Sequence, residues 1–252
     1  MAPTTGKCPG PPDSSSGRRD LARIGALVSD QARCQMLLAL GDGRALPAGV
    51  LAAEAGVTAA TASSHLHKLT VGGLLTVEVA GRRRNYRLAG PDVGALVEAL
   101  ERLAPALPVR SLEQSQRARA HREARVCYDH VAGRLGVEMM RAMVERGFLE
   151  PVDEADAGEV RYAITVEGWA FLETLGVIVP PSRRPVRYHA DSTEEGLHLS
   201  GALGRSLLAR LVDLGWLRRQ QKQRLQITPD GLTGFDLRFG LVLPSAHGEV
   251  SR

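Results

Sequence analysis

A mainly α-helical chain with small β-hairpins, an α+β fold, is what this sequence predicts. Three observations carry the prediction. Apolar residues recur at helical spacing, short β-biased runs come in pairs around Gly- or Arg-rich turns, and the second half repeats itself. At 252 residues there is room for one large domain or two to three small ones. Hydrophobic residues at 44%, charged residues at 24% and a mean hydropathy of −0.11 exclude collagen-like and wholly disordered chains. No stretch approaches the roughly 18 to 20 apolar residues of a membrane-spanning helix, so no membrane partner is expected.

Residues 1–18 are rich in Pro, Gly and Ser without an apolar run, which reads as a disordered leader and not a secretory signal. The expected location is cytoplasmic. Over residues 20–40, Leu21, Ile24, Leu27, Val28, Met36, Leu37 and Leu40 predict one or two helices, with Ser29-Asp30 as a break or cap. Gly41-Asp42-Gly43 stops them. A short helix starts at Pro47, where proline is tolerated, and runs to Ala55. After the turn Gly56-Val57, Thr58 is a good N-cap for a helix over 59–71, with Ala62, His65, Leu66 and Leu69 on one face. Gly72-Gly73 ends it. Residues 74–79 and 84–88 then form a hairpin whose tip, Ala80-Gly81-Arg82-Arg83, is basic. Helix, turn, helix, hairpin is the order of a winged helix-turn-helix domain. A further helix over 92–103 completes it, giving a DNA-binding and dimerisation domain at 19–104.

Residues 105–121 are expected to be a helical connector, and 111–126 a highly charged, solvated helix. Beyond it, His130 to Gly136 is matched by His198 to Gly204, and the match continues through MMRAMVERGFL against LLARLVDLGWL. Ile164-Thr165-Val166-Glu167-Gly168 then pairs with Ile227-Thr228-Pro229-Asp230-Gly231, across a shorter loop in the second copy. Each copy reads as a helix, two short strands and a capped helix, which is winged-helix-like. The expected boundaries are 122–178 for the first repeat, 179–193 for a linker, 194–241 for the second repeat and 242–252 for a tail. Nine of the ten aromatic residues follow position 120, and Trp169, Phe171, Trp216 and Phe235 read as core more readily than as a ligand pocket.

The formal charge of +4 and a pI near 9.2 permit an anionic partner. Between residues 19 and 90, basic residues outnumber acidic ones nine to five, and Arg82, Arg83 and Arg84 crowd the hairpin tip beside Asn85 and Tyr86. A polar helix beside a basic hairpin suits duplex DNA, the helix entering the major groove and the hairpin following the phosphates. The alternative is a solvated turn on a winged module that binds protein. His65 is open between a packed histidine and a phosphate contact, and Tyr86 between hairpin core and contact.

The stretch LAAEAGVTAATASSHLHKLTVGGLLTVEVAGRRRNYRL resembles the ArsR/SmtB family of bacterial repressors over residues 20–104. The resemblance implies a transcriptional regulator, not an enzyme. It implies a homodimer, built on the first helix and the one over 92–103, that binds an inverted-repeat operator in double-stranded DNA and leaves it when an inducer arrives. Carried over by position, Thr58, Thr61, Ser63, Ser64, His65, His67 and Lys68 are the DNA-helix candidates. Ala59 and Ala60 stand where relatives often place polar side chains, which shifts weight from base readout to shape readout.

The family's usual metal ligands are absent. Residues 47–55 hold no cysteine, and the 92–103 helix offers Asp92, Glu98 and Glu101 but no histidine. No cofactor is therefore assigned, although a transition metal ion or a small molecule remains open as inducer. Three separated cysteines, Cys8, Cys34 and Cys127, make no disulfide framework or CxxC knuckle. Cys127, Asp129 and His130, with the repeat-related His198, are the most reactive grouping. They read as half of a metal site or an activated thiol, or else as a buried small hydrophobe with two equivalent packing histidines. The second half resembles a longer subgroup of the family with a second cysteine near where this chain has His189 and Asp191, so a two-cysteine redox switch does not transfer.

Overall fold

The computed structural model describes residues 19–80, 83–105, 108, 111–152, 160–220 and 223–244. Helix α1 (Leu21–Val28) and helix α2 (Gln31–Ala39) are separated at Ser29, because Asp30 turns from the first and caps the second by accepting from the Arg33 amide at 3.0 Å. Strand β1 (Leu46–Pro47) leads into α3 (Ala48–Glu54), and α4 (Ala59–Val71) follows the turn at Gly56. Strands β2 (Leu75–Ala80) and β3 (Arg83–Leu88) form the expected hairpin, and β1 adds to β3 as a third strand, Leu46 opposite Tyr86. Helix α5 (Pro91–Leu103) closes the unit. Met36, Leu40, Leu51, Leu66 and Leu69, all fully buried, form its core.

The charged segment after it splits. Helix α6 (Leu112–Glu123) stops at Ala124, and the chain enters strand β4 (Arg125–Cys127), where the sequence reading continued a helix to 126. Val126 is buried and its amide donates to the Gln223 carbonyl at 2.7 Å, so sheet pairing wins. Strand β5 (His130–Ala132) returns antiparallel and leads into α7 (Gly133–Glu145), then strands β6 (Leu149–Val152) and β7 (Arg161–Ile164) and helix α8 (Val166–Leu175).

The second copy repeats every element: β8 (Arg187–Ala190), β9 (Leu197–Ser200), α9 (Gly201–Asp213), β10 (Leu217–Arg219), β11 (Leu225–Ile227) and α10 (Pro229–Phe239). Residues 179–193, read above as a linker, thus contain β8, the first strand of this copy. Thr165 and Thr228 cap α8 and α10 in the same way, each accepting from the amide three residues on. Gly133 and Gly201 start the paired helices with φ of +75° and +71°, a backbone that an L side chain rarely adopts.

The copies pack on each other about a pseudo-twofold. A Cβ added to Gly136 would stand 3.2 Å from the His198 Cβ, and one added to Gly204 would stand 3.1 Å from the His130 Cβ. Each copy thus leaves a glycine-sized place for the other's histidine. Around this contact Leu135, Met143, Leu203, Leu207, Phe235 and Phe239 build one shared core.

Candidate DNA interface and a buried cysteine-histidine cluster

Helix α4 buries Ala62, Leu66 and Leu69 completely against α2 and α3. Thr58 caps it, its hydroxyl oxygen accepting from the Thr61 amide at 3.2 Å. The 3.6-residue period then turns Thr61, Ser63, Ser64, His67 and Lys68 outward, and all five are exposed. Arg83 and Arg84 are exposed on β3, whose partner β2 packs against α4, and Asn85 is half-buried opposite Glu78. Arg82 lies outside the described residues.

Two candidates sit elsewhere. Tyr86 is only 8% exposed and packs in the core of the hairpin, leaving its neighbours to meet any ligand. The half-buried His65 ring places Nδ1 3.5 Å from an Arg33 guanidinium nitrogen and 3.6 Å from Asp30 Oδ1, which docks α4 on α2. The basic excess is also partly spent on contacts within the chain. Arg33 donates to the carbonyls of Leu27 and Ala26 at 2.6 and 2.7 Å, Arg44 pairs with Asp42 at 2.5 Å, and Arg87 pairs with Glu78. Lys68, Arg83 and Arg84 remain on the outer face.

The second site is internal. In the first hairpin Cys127 stands opposite His130; in the second, His189 stands opposite His198. Donor atoms of these four residues all lie within 4.8 Å of one another, with Cys127, His130 and His198 buried and His189 half-buried. The three imidazoles meet at centroid distances of 4.9, 5.1 and 4.5 Å. His130 Nδ1 is held by Asp129 Oδ1 at 3.1 Å, which points Nε2 inward. That nitrogen makes no hydrogen bond, nor do His189 Nδ1 or either nitrogen of His198. Carboxylate oxygens of Asp191 and Glu98 stand 3.1 and 3.3 Å from His198 Nδ1 and His189 Nδ1. An unpaired buried polar atom costs about 1–3 kcal/mol, which falls most directly on His130 Nε2.

Carboxylates surround the cluster. Glu98 reaches in from α5 and accepts from the Cys127 thiol through Oε2, while its Oε1 takes the Arg125 guanidinium at 2.7 Å. Arg125, 2% exposed, also pairs with Asp191 at 3.1 Å and donates to Thr193 and Ser192. Asp191 Oδ2 accepts the Gly133 amide of the other copy at 2.7 Å. Burial, reinforced by Glu98, pushes the Cys127 thiol well above its ordinary value, so it is protonated and not a ready nucleophile. Burial pulls His130 down to about 4, which keeps it neutral. Against the effect of its burial, His189, His198 and Arg125 hold Glu98 down at about 2.

Cys127, His130 and His198 are thus brought together, and the structure adds His189, Glu98 and Asp191. A signal for His189 was present in the sequence: Arg125-Val126-Cys127 aligns with Arg187-Tyr188-His189, each followed by the histidine of its copy. Of the aromatic set, Phe235 is fully buried, Phe171 is 9% exposed and Trp216 packs on Phe235 at 5.5 Å, whereas Trp169 is 47% exposed. A separate cleft of about 780 Å³ opens between the winged unit and α6, lined by Leu38, Leu46, Glu101, Arg117, His121 and Arg224.

Residues 28–78 match a helix-turn-helix domain family, HTH_20. The chain is 40% identical over 222 residues to the HTH-type transcriptional regulator YdfF of Bacillus subtilis (strain 168), spanning 86% of this chain and 96% of that one. It is 44% identical over 69 residues to the HTH-type transcriptional regulator CmtR of Mycobacterium bovis, covering 27% of this chain and 58% of that protein. Among solved structures, the homodimeric winged helix-turn-helix DNA-binding domain of Mb0332 from Mycobacterium bovis, described as a possible ArsR-family regulator, is 32% identical. It covers 33% of this chain and 76% of its own, with a TM-score of 0.31.

Proposed function

This chain belongs to the family of HTH-type transcriptional regulators, and on that premise we propose that it is a DNA-binding regulator of the ArsR type, a cytoplasmic, homodimeric repressor. It holds an inverted-repeat operator with α4 and the β2–β3 wing, and an inducer sensed in the C-terminal module releases it. Residues 19–104 are then the DNA-binding and dimerising unit and 122–241 the sensing unit. The observation that carries this reading is the outward row of Thr61, Ser63, Ser64, His67 and Lys68 on α4, together with exposed Arg83 and Arg84 on the wing. Thr58 shapes that row by capping, and Arg82 and Asn85 extend the wing's contact.

Dimerisation is supported by apolar side chains with no cover in one chain: Leu21 on α1 and Leu103 on α5 are each 78% exposed, and Leu100 is 37% exposed. Action by binding, without catalysis, is supported by the protonated, buried Cys127. Among the described residues no helix is long and apolar enough to cross a membrane.

The test is binding to the gene's own upstream DNA against a scrambled duplex over a salt series, for the wild type and an Arg83→Ala/Arg84→Ala variant. Preference for the upstream DNA is expected. Loss of two phosphate contacts should lower the salt slope by about 2. Equal affinity for both duplexes, unchanged in the variant, would overturn the DNA-binding reading and leave the scaffold alternative.

A further inference from the structure

We propose that Cys127 Sγ, His130 Nε2, His189 Nδ1 and His198 Nε2 form a site for one divalent transition ion of the zinc class, shared between the two copies of the C-terminal module. The donor chemistry is that of a borderline-soft ion, one sulfur and three imidazole nitrogens. In an ideal tetrahedron with Zn–N near 2.0–2.1 Å and Zn–S near 2.3 Å, donors stand about 3.3–3.6 Å apart. The observed spread is up to 4.8 Å, so binding an ion draws the donors together. The unpartnered inward nitrogens are a second, independent observation.

Supporting groups are in place. Asp129 orients His130 through Nδ1, and Arg205 donates to the other oxygen of Asp129 at 2.7 Å. Asp191 Oδ2 stands 3.1 Å from His198 Nδ1, the equivalent position in the second copy. Arg125 offsets one of the two buried carboxylates, Glu98 and Asp191, which leaves one net negative charge. A divalent ion that displaces the thiol proton to solvent adds one net positive charge, so the loaded cluster is neutral.

The same proton loss makes the site a switch. The Cys127 thiol donates to Glu98, and Glu98 belongs to α5. Metallation removes that donor, so the Cys127–Glu98 hydrogen bond is lost while Glu98 keeps Arg125 at 2.7 Å, and α5 readjusts against the module. The tip between the two first-copy ligands is wedged on the winged unit as well. Tyr128, with φ of 56°, donates its amide to the Gly41 carbonyl, and a Cβ on Gly94 of α5 would stand 2.9 Å from the Tyr128 Cβ. That this movement changes DNA affinity rests on the function proposed above; the ion site itself does not.

The test uses the full chain, stripped with chelator and titrated with Co²⁺, then with Zn²⁺ in competition. One equivalent per chain is expected, with a thiolate-to-cobalt charge-transfer band and tetrahedral visible bands. Cys127→Ser should abolish the charge-transfer band, and His189→Gln, at a half-buried position that tolerates change, should weaken binding. Asp129→Asn should weaken it by about 10- to 100-fold, and Cys34→Ser should change nothing. Absence of Co²⁺ binding to the folded wild type, or bands unaltered by both Cys127→Ser and His189→Gln, would overturn the site. Zn²⁺ should weaken binding to the upstream DNA by about tenfold. Metal binding with unaltered DNA affinity would sink the switch and keep the site. Metal binding by a chain that discriminates no DNA in either form would sink the DNA-binding function and leave the site standing.

Discussion

The two halves of this chain handle charge in opposite ways. The winged unit keeps Lys68, Arg83 and Arg84 exposed over a core that is aliphatic apart from Tyr86. The C-terminal module draws Arg125, Glu98, Asp191 and two fully buried histidines inside. Phosphates can be met by exposed charge at little cost to folding. Selecting one ion instead requires donors that are desolvated and fixed in advance.

The sharpest break of this contrast is a matched pair of arginine substitutions. Arg125→Met strands the Glu98 and Asp191 carboxylates and should cost about 3–5 kcal/mol in urea unfolding. Arg84→Ala, on the wing, should stay within about 0.5 kcal/mol. Equal losses would mean that the buried ion pairs are not what organises the module.

Next in size are the glycines at the pseudo-twofold. Gly136→Ala would bring a methyl within 2.5 Å of the Val131 carbonyl, and Gly204→Ala within 2.7 Å of the Leu199 carbonyl. Each should cost about 1–3 kcal/mol by overpacking, and similar melting-temperature losses in the two variants are the expected mark of the symmetry. A large loss in one and none in the other would show that the copies do not bear on each other equally.

The smallest effect belongs to the winged half. Thr58→Ala removes the cap of α4 and should lower stability by about 1 kcal/mol, with no change in Co²⁺ binding. A change in Co²⁺ affinity would show that the two halves are less separable than their cores suggest.

The same contrast explains what could be read before the fold was in hand. The winged unit is written in local signals: the Asp30 and Thr58 caps, the turns at Gly41–Gly43 and Gly72-Gly73, and β-runs around a short basic tip. The cluster was half legible. Cys127, His130 and His198 stood out by residue type and by the repeat, but their company did not. Glu98 comes from another unit, and the second hairpin separates His189 from His198 with a long excursion where the first has only Tyr128 and Asp129 between its ligands. Strands of three residues show no period, so β4 passed as the end of a charged helix. His65 and Tyr86, open in the sequence between packing and contact, are half-buried and buried in the structure, near fully buried leucines.

The even division of the cluster between the copies bears on the history of the chain. Neither copy alone owns more than two of the four donors, and each supplies the glycine that makes room for the other's histidine. A gene carrying one copy could have made this cluster only by pairing two polypeptides. With both copies in one chain that encounter is intramolecular, and removing either copy forfeits the whole cluster.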